Sequence, residues 1–261
     1  MPYANNNGVK IYYEVEGEGP PLVMMHGLGD NLSQWRRIGH SDALKNNYKL
    51  ILLDARGHGK SDKPHEPSAY GRNMADDVLA VMSDLGISKT HYIGYSMGAA
   101  IGFGLATGHA DNFLSFIFGG SSPYPSNEAD IKGRGMIIEM IKLAIKDPQA
   151  YIKLREQSFG RALTPQERKD QLTSDPEAGL ALMANTDNPI FTSHDLSLIS
   201  VPCLFFCGDL DTAYPGAKEA ASHIKKAKFI SLPGLNHVAA FSRSDLVLPH
   251  IKEFLARVST K

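Results

Sequence analysis

A chain of 261 residues, 43% hydrophobic and 21% charged, can bury the core of one large α/β domain with room for a modest insertion. Its 27 basic and 28 acidic residues leave a formal net charge of −1, which excludes a nucleic-acid scaffold or a polybasic membrane binder, since both need a surplus of positive charge. No window approaches the roughly 18 apolar residues of a membrane span, and the start, MPYANNNGVKIYY, has neither the basic nor the apolar stretch of a signal peptide. A cytoplasmic protein that binds neither nucleic acid nor membrane is expected.

In chain order, VKIYYEV (9–15) reads as a strand and GEGPP after it as a turn. LVMMHG (22–27) and KLILLDARG (49–57) read as short buried strands, the second ending where Asp54 introduces charge. Residues 72–85 carry Met74, Val78, Val81 and Leu85 at helical spacing, and Gly86 stops that helix. HYIGYS (91–96) is the next strand, MGAAIGFGLATG (97–108) a small-residue helix fit for close packing, and FLSFIFGG (113–120) a further strand. This alternation predicts a parallel sheet covered on both faces.

The alternation breaks near residue 121. Between Ser122 and Asp195 there is no strand candidate, only helical segments at 135–146, 149–159, 163–172 and 177–185, interrupted by Pro165, Pro176 and Pro189. Alternation resumes with VPCLFFCGD (201–209), a helix from Pro215, the strand KFISL (228–232) and a last helix over 244–258. The predicted organisation is therefore a core of 1–121 and 196–261, with 122–195 either a lid over a site or further helices of the domain itself. The lid is the preferred reading. The apolar stripe Met136, Ile137, Ile138, Met140 and Ile141 reads mainly as core packing, with a minority of its residues against a pocket. Cys203 and Cys207 point to one face of a strand, too far apart to bridge, and read as buried thiols; no disulfide framework suggests secretion.

The chemistry gathers at strand ends. Gly94-Tyr95-Ser96-Met97-Gly98 matches G-x-S-x-G between a strand and a helix, the context in which a sharp turn lifts the serine oxygen above the sheet. Serine needs a base. His237, just past the strand 228–232 in a loop before the last helix, lies at the same sheet edge; His58 in RGHG is its rival. His26 is read as tying down its own loop, and His91 as facing the wrong edge. His40, His65, His109, His194, His223 and His250 are read as surface or satisfied imidazoles. The loop GDLD offers Asp209 and Asp211; Asp211 reaches farther toward His237, whereas Asp209 is suited to bracing the backbone. A tetrahedral intermediate needs donors, and the N–H groups of Leu28 and Met97 are the natural pair.

HGLG (26–29), DARGHGKSD (54–62), GYSMG (94–98), GDLD (208–211) and GLNH (234–237) resemble, in this order, the motifs of the α/β-hydrolase family. The resemblance spans nearly the whole chain outside 122–195. It implies an α/β fold with an eight-stranded, mostly parallel sheet, helices on both faces, and a helical cap after strand six. It implies Ser96 as nucleophile, Asp211 as acid, His237 as base, and Leu28 with Met97 as oxyanion donors; Asp54, Arg56, Gly57 and Gly59 match a structural loop. Haloalkane dehalogenases and epoxide hydrolases of the family carry aspartate at the elbow, so Ser96 points away from them. Esterases, lactonases, C–C bond hydrolases, proline iminopeptidases, cofactor-free haloperoxidases and hydroxynitrile lyases remain.

The expected activity is that of a carboxylesterase acting on a small to medium ester through an acyl-enzyme on Ser96. The alternatives are a lactonase, a C–C bond hydrolase, or a ligand receptor with a slow hydrolase triad. The expected partner is a small-molecule ester or lactone and the expected assembly a monomer or homodimer. No metal or organic cofactor is implied, because no ligand cluster or phosphate loop accompanies the motifs.

Overall fold

Short runs rich in Val, Ile, Leu and Phe, too apolar to leave either face in water, must sit in the middle of a covered sheet. The structure, a computed structural model describing residues 2–124, 128–185, 190 and 196–259, places them there. Strands β1 (Tyr3–Asn6), β2 (Val9–Glu16), β3 (Pro21–Met25), β4 (Lys49–Leu53), β5 (Thr90–Tyr95), β6 (Phe113–Gly119), β7 (Cys203–Gly208) and β8 (Ala227–Leu232) form one eight-stranded sheet. Their order is β1-β2-β4-β3-β5-β6-β7-β8. Only the β1–β2 and β2–β4 pairings are antiparallel.

Strand β1 was not among the elements expected from sequence. Its polar YANN has little strand character, but it joins β2 through Asn7-Gly8, both at positive φ (52° and 90°), the signature of a two-residue hairpin loop.

Successive residues along a strand face opposite sides, so each strand feeds two apolar layers. Val23, Met25, Ile51 and Leu53 enter one layer with Val78, Val81 and Phe103. Leu22, Met24, Leu50 and Leu52 enter the other with Trp35, Ile251 and Phe254. The helices that cover the faces are α1 (Gln34–Arg37), α2 (His40–Leu44), α3 (Asn73–Asp84) and α4 (Met97–Gly108) before the break in alternation. Glycine is needed inside α4: a Cβ on Gly102 would lie 2.7 Å from the Tyr92 ring. Cys203 and Cys207 are both free, fully buried and in the same layer, as the strand period requires; burial pushes the Cys203 thiol up to about 12.

Between β6 and β7 the described residues form helices only: α5 (Glu128–Lys146), α6 (Pro148–Phe159), α7 (Pro165–Leu172) and α8 (Pro176–Ala184). The prolines open these helices. Each stands directly after a residue whose side chain caps the first turn: Asp147, Thr164 and Asp175. Pro189 and His194 lie outside the described residues. The chain closes with α9 (Tyr214–His223), α10 (His237–Ser242) and α11 (Ser244–Ser259). Among the described residues no helix is long and apolar enough to cross a membrane.

Strand order reverses around β3, which is flanked by β4 and β5. At such a reversal the connections leave in opposite directions and open a crevice at the strands' carboxyl ends. The site described next occupies that edge.

Candidate active site

The turn from β5 to α4 is held in a conformation that an L-residue rarely adopts. Ser96 has φ 53° and ψ −114°, a backbone state costing roughly 1–3 kcal/mol that persists only when its surroundings enforce it. Its N–H donates to Gly119 O at 2.8 Å and its carbonyl accepts from Ala100 N at 3.0 Å. The two flanking glycines are required by contact. A Cβ on Gly98 would lie 2.2 Å from Met25 O, and one on Gly94 2.3 Å from the carbonyl carbon of Gly98. The elbow is thus pressed onto the end of β3, and Ser96 faces a cavity. Met97 opens α4, so its N–H belongs to the first helical turn, which has no intrahelical acceptors.

His237 lines the same cavity. It does not lie in an irregular loop, as its sequence position suggested, but is the first residue of α10, a six-residue helix capped by the Asn236 side chain on Ala239 N. Its Nδ1 lies 2.7 Å from Asp211 Oδ2. A carboxylate oxygen accepts, which assigns a hydrogen to Nδ1; in the neutral imidazole Nε2 then has the lone pair. The Asp211 side chain is 2% exposed, and its other oxygen accepts from Ala213 N at 3.1 Å. Asp209 braces the edge: it accepts from Gly234 N at 2.7 Å and ties the β7 loop to the β8 loop. Sequence reasoning missed Tyr95, whose hydroxyl donates to His237 O at 2.6 Å from within the elbow itself.

The loop after β3 carries Leu28 to the cavity wall. His26 holds this loop from inside. Its Nε2 accepts from Ala55 N at 3.0 Å, which puts the hydrogen on Nδ1, facing Gly27 O at 2.7 Å; burial pushes its pKa down, so it stays neutral. Gln34 adds an acceptor for Gly27 N at 3.2 Å, and Asp54 accepts from Leu32 N and Lys60 N, both at 2.7 Å. No short-range motif announces Gln34. A Cβ on Gly59 would strike Asp54 Oδ2 at 2.1 Å. Arg56 makes a buried, two-pronged pair with Asp77, Nε to Oδ2 at 2.6 Å and Nη2 to Oδ1 at 2.5 Å. The DARGHG loop is therefore a brace.

The rival base, His58, also touches the cavity. Its Nδ1 faces Arg56 O at 3.0 Å, its ring packs edgewise 5.2 Å from His26, and burial pushes its pKa down to about 4. Among the described residues no carboxylate hydrogen-bonds to it, so it lacks the orienting partner that His237 has. His91 is buried at the start of β5, between Ser115 and Ser259, away from this edge.

The cavity measures about 610 Å³. Ile137, Met140, Ile141 and Ala144 of α5 form its apolar wall, whereas Met136 is 62% exposed. This corrects the core reading of that stripe: α5 lies outside both sheet layers, and three of its five stripe residues face the cavity. Among the described residues no group of three or more His, Cys, Asp or Glu side chains could hold a metal ion.

A family model described as the alpha/beta hydrolase fold matches residues 20–135. Fluoroacetate dehalogenase from a Burkholderia species is 36% identical over 112 residues, 41% of this chain and only 36% of that protein, so the match spans about a third of its length. Among solved structures, the enol-lactonase from Burkholderia xenovorans LB400 is 26% identical with a TM-score of 0.76 over 98% of this chain and 100% of that one. A thermophilic esterase from Thermogutta terrifontis, 22% identical, superposes with a TM-score of 0.77 over 99% of this chain and 97% of its own, a likeness of fold. Elbow, sheet order, helical segment and these likenesses together show that the chain has the α/β-hydrolase fold.

Proposed function

We propose that this protein is a carboxylesterase acting on small to medium esters, with Ser96 as nucleophile, His237 as base and Asp211 as the acid that orients it. The observation that carries this reading is the 2.7 Å contact between His237 Nδ1 and Asp211 Oδ2, with His237 and the strained Ser96 on the wall of one cavity. In this reading His237 Nε2 is the atom that accepts the serine proton. Ser96 Oγ attacks the carbonyl as its proton passes to His237. The N–H groups of Leu28 and Met97 stabilise the oxyanion. The alcohol leaves with the proton from His237, and water activated by the same imidazole cleaves the acyl-enzyme.

Serine also favours acyl chemistry on elementary grounds. Displacement of halide from an alkyl carbon by a serine oxygen would leave an ether, which water does not cleave under these conditions. An acyl ester on the same oxygen turns over. Lactonase activity is the second reading, favoured by full-length similarity to an enol-lactonase at 26% identity. Residues 122–195 are read as a cap over the site, since α5 supplies the apolar wall.

A fluorophosphonate probe tests the nucleophile, and p-nitrophenyl butyrate beside a panel of lactones tests the reaction. Labelling that disappears in Ser96→Ala, with turnover on esters, is expected. No labelling of the wild-type protein sinks the triad assignment. Labelling with lactone turnover alone selects the second reading, and one slow turnover with retained product selects a receptor.

A further inference from the structure

The cavity holds a cation that nothing in the proposed acyl chemistry uses. Arg155, one turn beyond Tyr151 on α6, lines the same cavity as Ser96 and His237. Its Nε is buried and has no hydrogen-bond partner among the described residues. Its guanidinium carbon sits 5.0 Å from the centroid of the Phe159 ring, which steadies the plane of the group. No carboxylate pairs with it among the described residues. Lys169 of α7 lines the cavity too, and it also has no ion-pair partner there.

The acids of the cavity stand in contrast, because every one is engaged. Asp30 lies 2.5 Å and Asp170 3.7 Å from Arg37, Glu14 lies 2.6 Å from Arg36, and Asp175 lies 3.0 Å from His65. Asp54 accepts two backbone N–H groups. Among the described residues, what the cavity has left unpaired is positive charge, on a residue whose Nε is buried. A buried guanidinium N–H without an acceptor is unfavourable unless a ligand supplies one.

We infer that the substrate carries a second acid group, an ionised carboxylate, which pairs with Arg155 while the scissile carbonyl lies at Ser96. The inference rests on the ester-hydrolase reading for the scissile bond and on Arg155 alone for the anion. The planar guanidinium meets both oxygens of a carboxylate through Nε and a terminal nitrogen, a match that a lysine does not reproduce. Lys169 adds positive potential without fixed geometry.

Two esters of equal shape separate charge from size: ethyl hydrogen adipate, which is anionic, and ethyl 6-oxoheptanoate, its neutral methyl-ketone counterpart. The wild-type protein is expected to prefer the anion by about 30-fold in kcat/KM, the size of one charge-assisted contact. Arg155→Gln should remove that preference through KM and leave the neutral ester within about twofold, and Arg155→Lys should retain part of it. Lys153→Gln, exposed on the same helix, should change nothing. Adipate should bind Ser96→Ala protein in a calorimeter and fail to bind the Ser96→Ala, Arg155→Gln double variant. Equal rates on the two wild-type esters overturn the inference, as does an equal loss on both in Arg155→Gln. If neither ester turns over while adipate binds through Arg155, the anion site stands and the esterase reading falls. If Arg155→Gln does not fold, the Arg155→Lys selectivity decides.

Discussion

The sheet edge and the helices above it are built on different terms. At the edge, Ser96, His26, Asp54 and Asp211 are each held by at least two backbone or side-chain contacts, and the strands beneath are buried on both faces. Among the described residues, the helices between β6 and β7 contribute few buried side chains, among them Tyr151, Ile152, Ala178 and Leu182. They show Ile131, Met136, Ile145 and Leu172 to solvent. Ion pairs such as Arg161 with Glu167 contribute to their cohesion. The difference teaches where precision is needed. Under the proposed mechanism, proton transfer tolerates little displacement and its groups stand on a packed scaffold, whereas recognition would fall to a wall that can change without disturbing the sheet.

Asp211→Asn should break the edge while sparing everything above it. Asp211 Oδ1 is fixed by Ala213 N–H, so the amide nitrogen of asparagine takes the place of Oδ2 and donates to His237 Nδ1. The imidazole must then carry its hydrogen on Nε2 and cannot accept the serine proton. A loss of about 10⁴-fold in kcat is expected, with little change in melting temperature. A loss under about tenfold would show that His237 is oriented by something else.

Arg56→Met tests whether the scaffold under the edge is as interdependent as its contacts imply. The side chains of Arg56 and Asp77 are 3% and 1% exposed. Without Arg56, the one side-chain donor left to Asp77 among the described residues is Asn6, at 2.8 Å. Removing one partner of a buried pair costs about 3–5 kcal/mol. Chemical denaturation should register that loss, and an effect under about 1 kcal/mol would mean that water reaches Asp77. The double variant Arg56→Met, Asp77→Leu should recover much of the stability, because no unpaired charge is then left behind.

The same contrast explains what could be read in the sequence. The central strands were legible because burial on both faces leaves continuous apolar runs. The elbow was legible because the Gly94 and Gly98 contacts admit no side chain. Loop reach favoured Asp211 over Asp209 as the partner of His237, and the two side chains part accordingly: Asp211 Oδ2 lies 2.7 Å from His237 Nδ1, whereas Asp209 accepts from Gly234 N. The hairpin strand β1 was missed although Asn7-Gly8 announced it, since YANN has no apolar alternation to notice. The α5 stripe was misread because helical periodicity identifies an apolar face without saying whether protein or cavity lies opposite. Tyr95 and Gln34 were missed for a further reason: each acts through one side-chain hydrogen bond to a backbone atom, Tyr95 to the distant His237 and Gln34 to Gly27 in the preceding loop, and neither bond leaves a recurring local pattern.

The smallest effect should be confined to the helices, and it depends on pH. Glu167 is the N3 residue of the capping box that opens α7. It also accepts from Arg161, Nη1 to Oε2 at 2.9 Å and Nη2 to Oε1 at 2.7 Å. The Arg161 hydrogen bonds foremost, opposed by burial and aided by Thr164, hold its carboxyl down from 4.5 to about 2. A depressed carboxylate pKa means that the folded state favours the ionised form. Its stabilisation is therefore complete above about pH 4.5 and is lost as pH falls toward 2. Glutamine at 167 preserves the capping box and removes the charge. With Arg161 half-exposed, Glu167→Gln should cost about 1–2 kcal/mol at pH 6 and almost nothing at pH 2. Hydrogen exchange should show the α7 amides opening earlier, with β5 and β6 unaffected. A penalty that persists unchanged at pH 2 would assign the effect to shape instead of charge. Faster exchange in β5 would mean that the helices and the sheet edge unfold as one unit, and the separation between them would then be wrong.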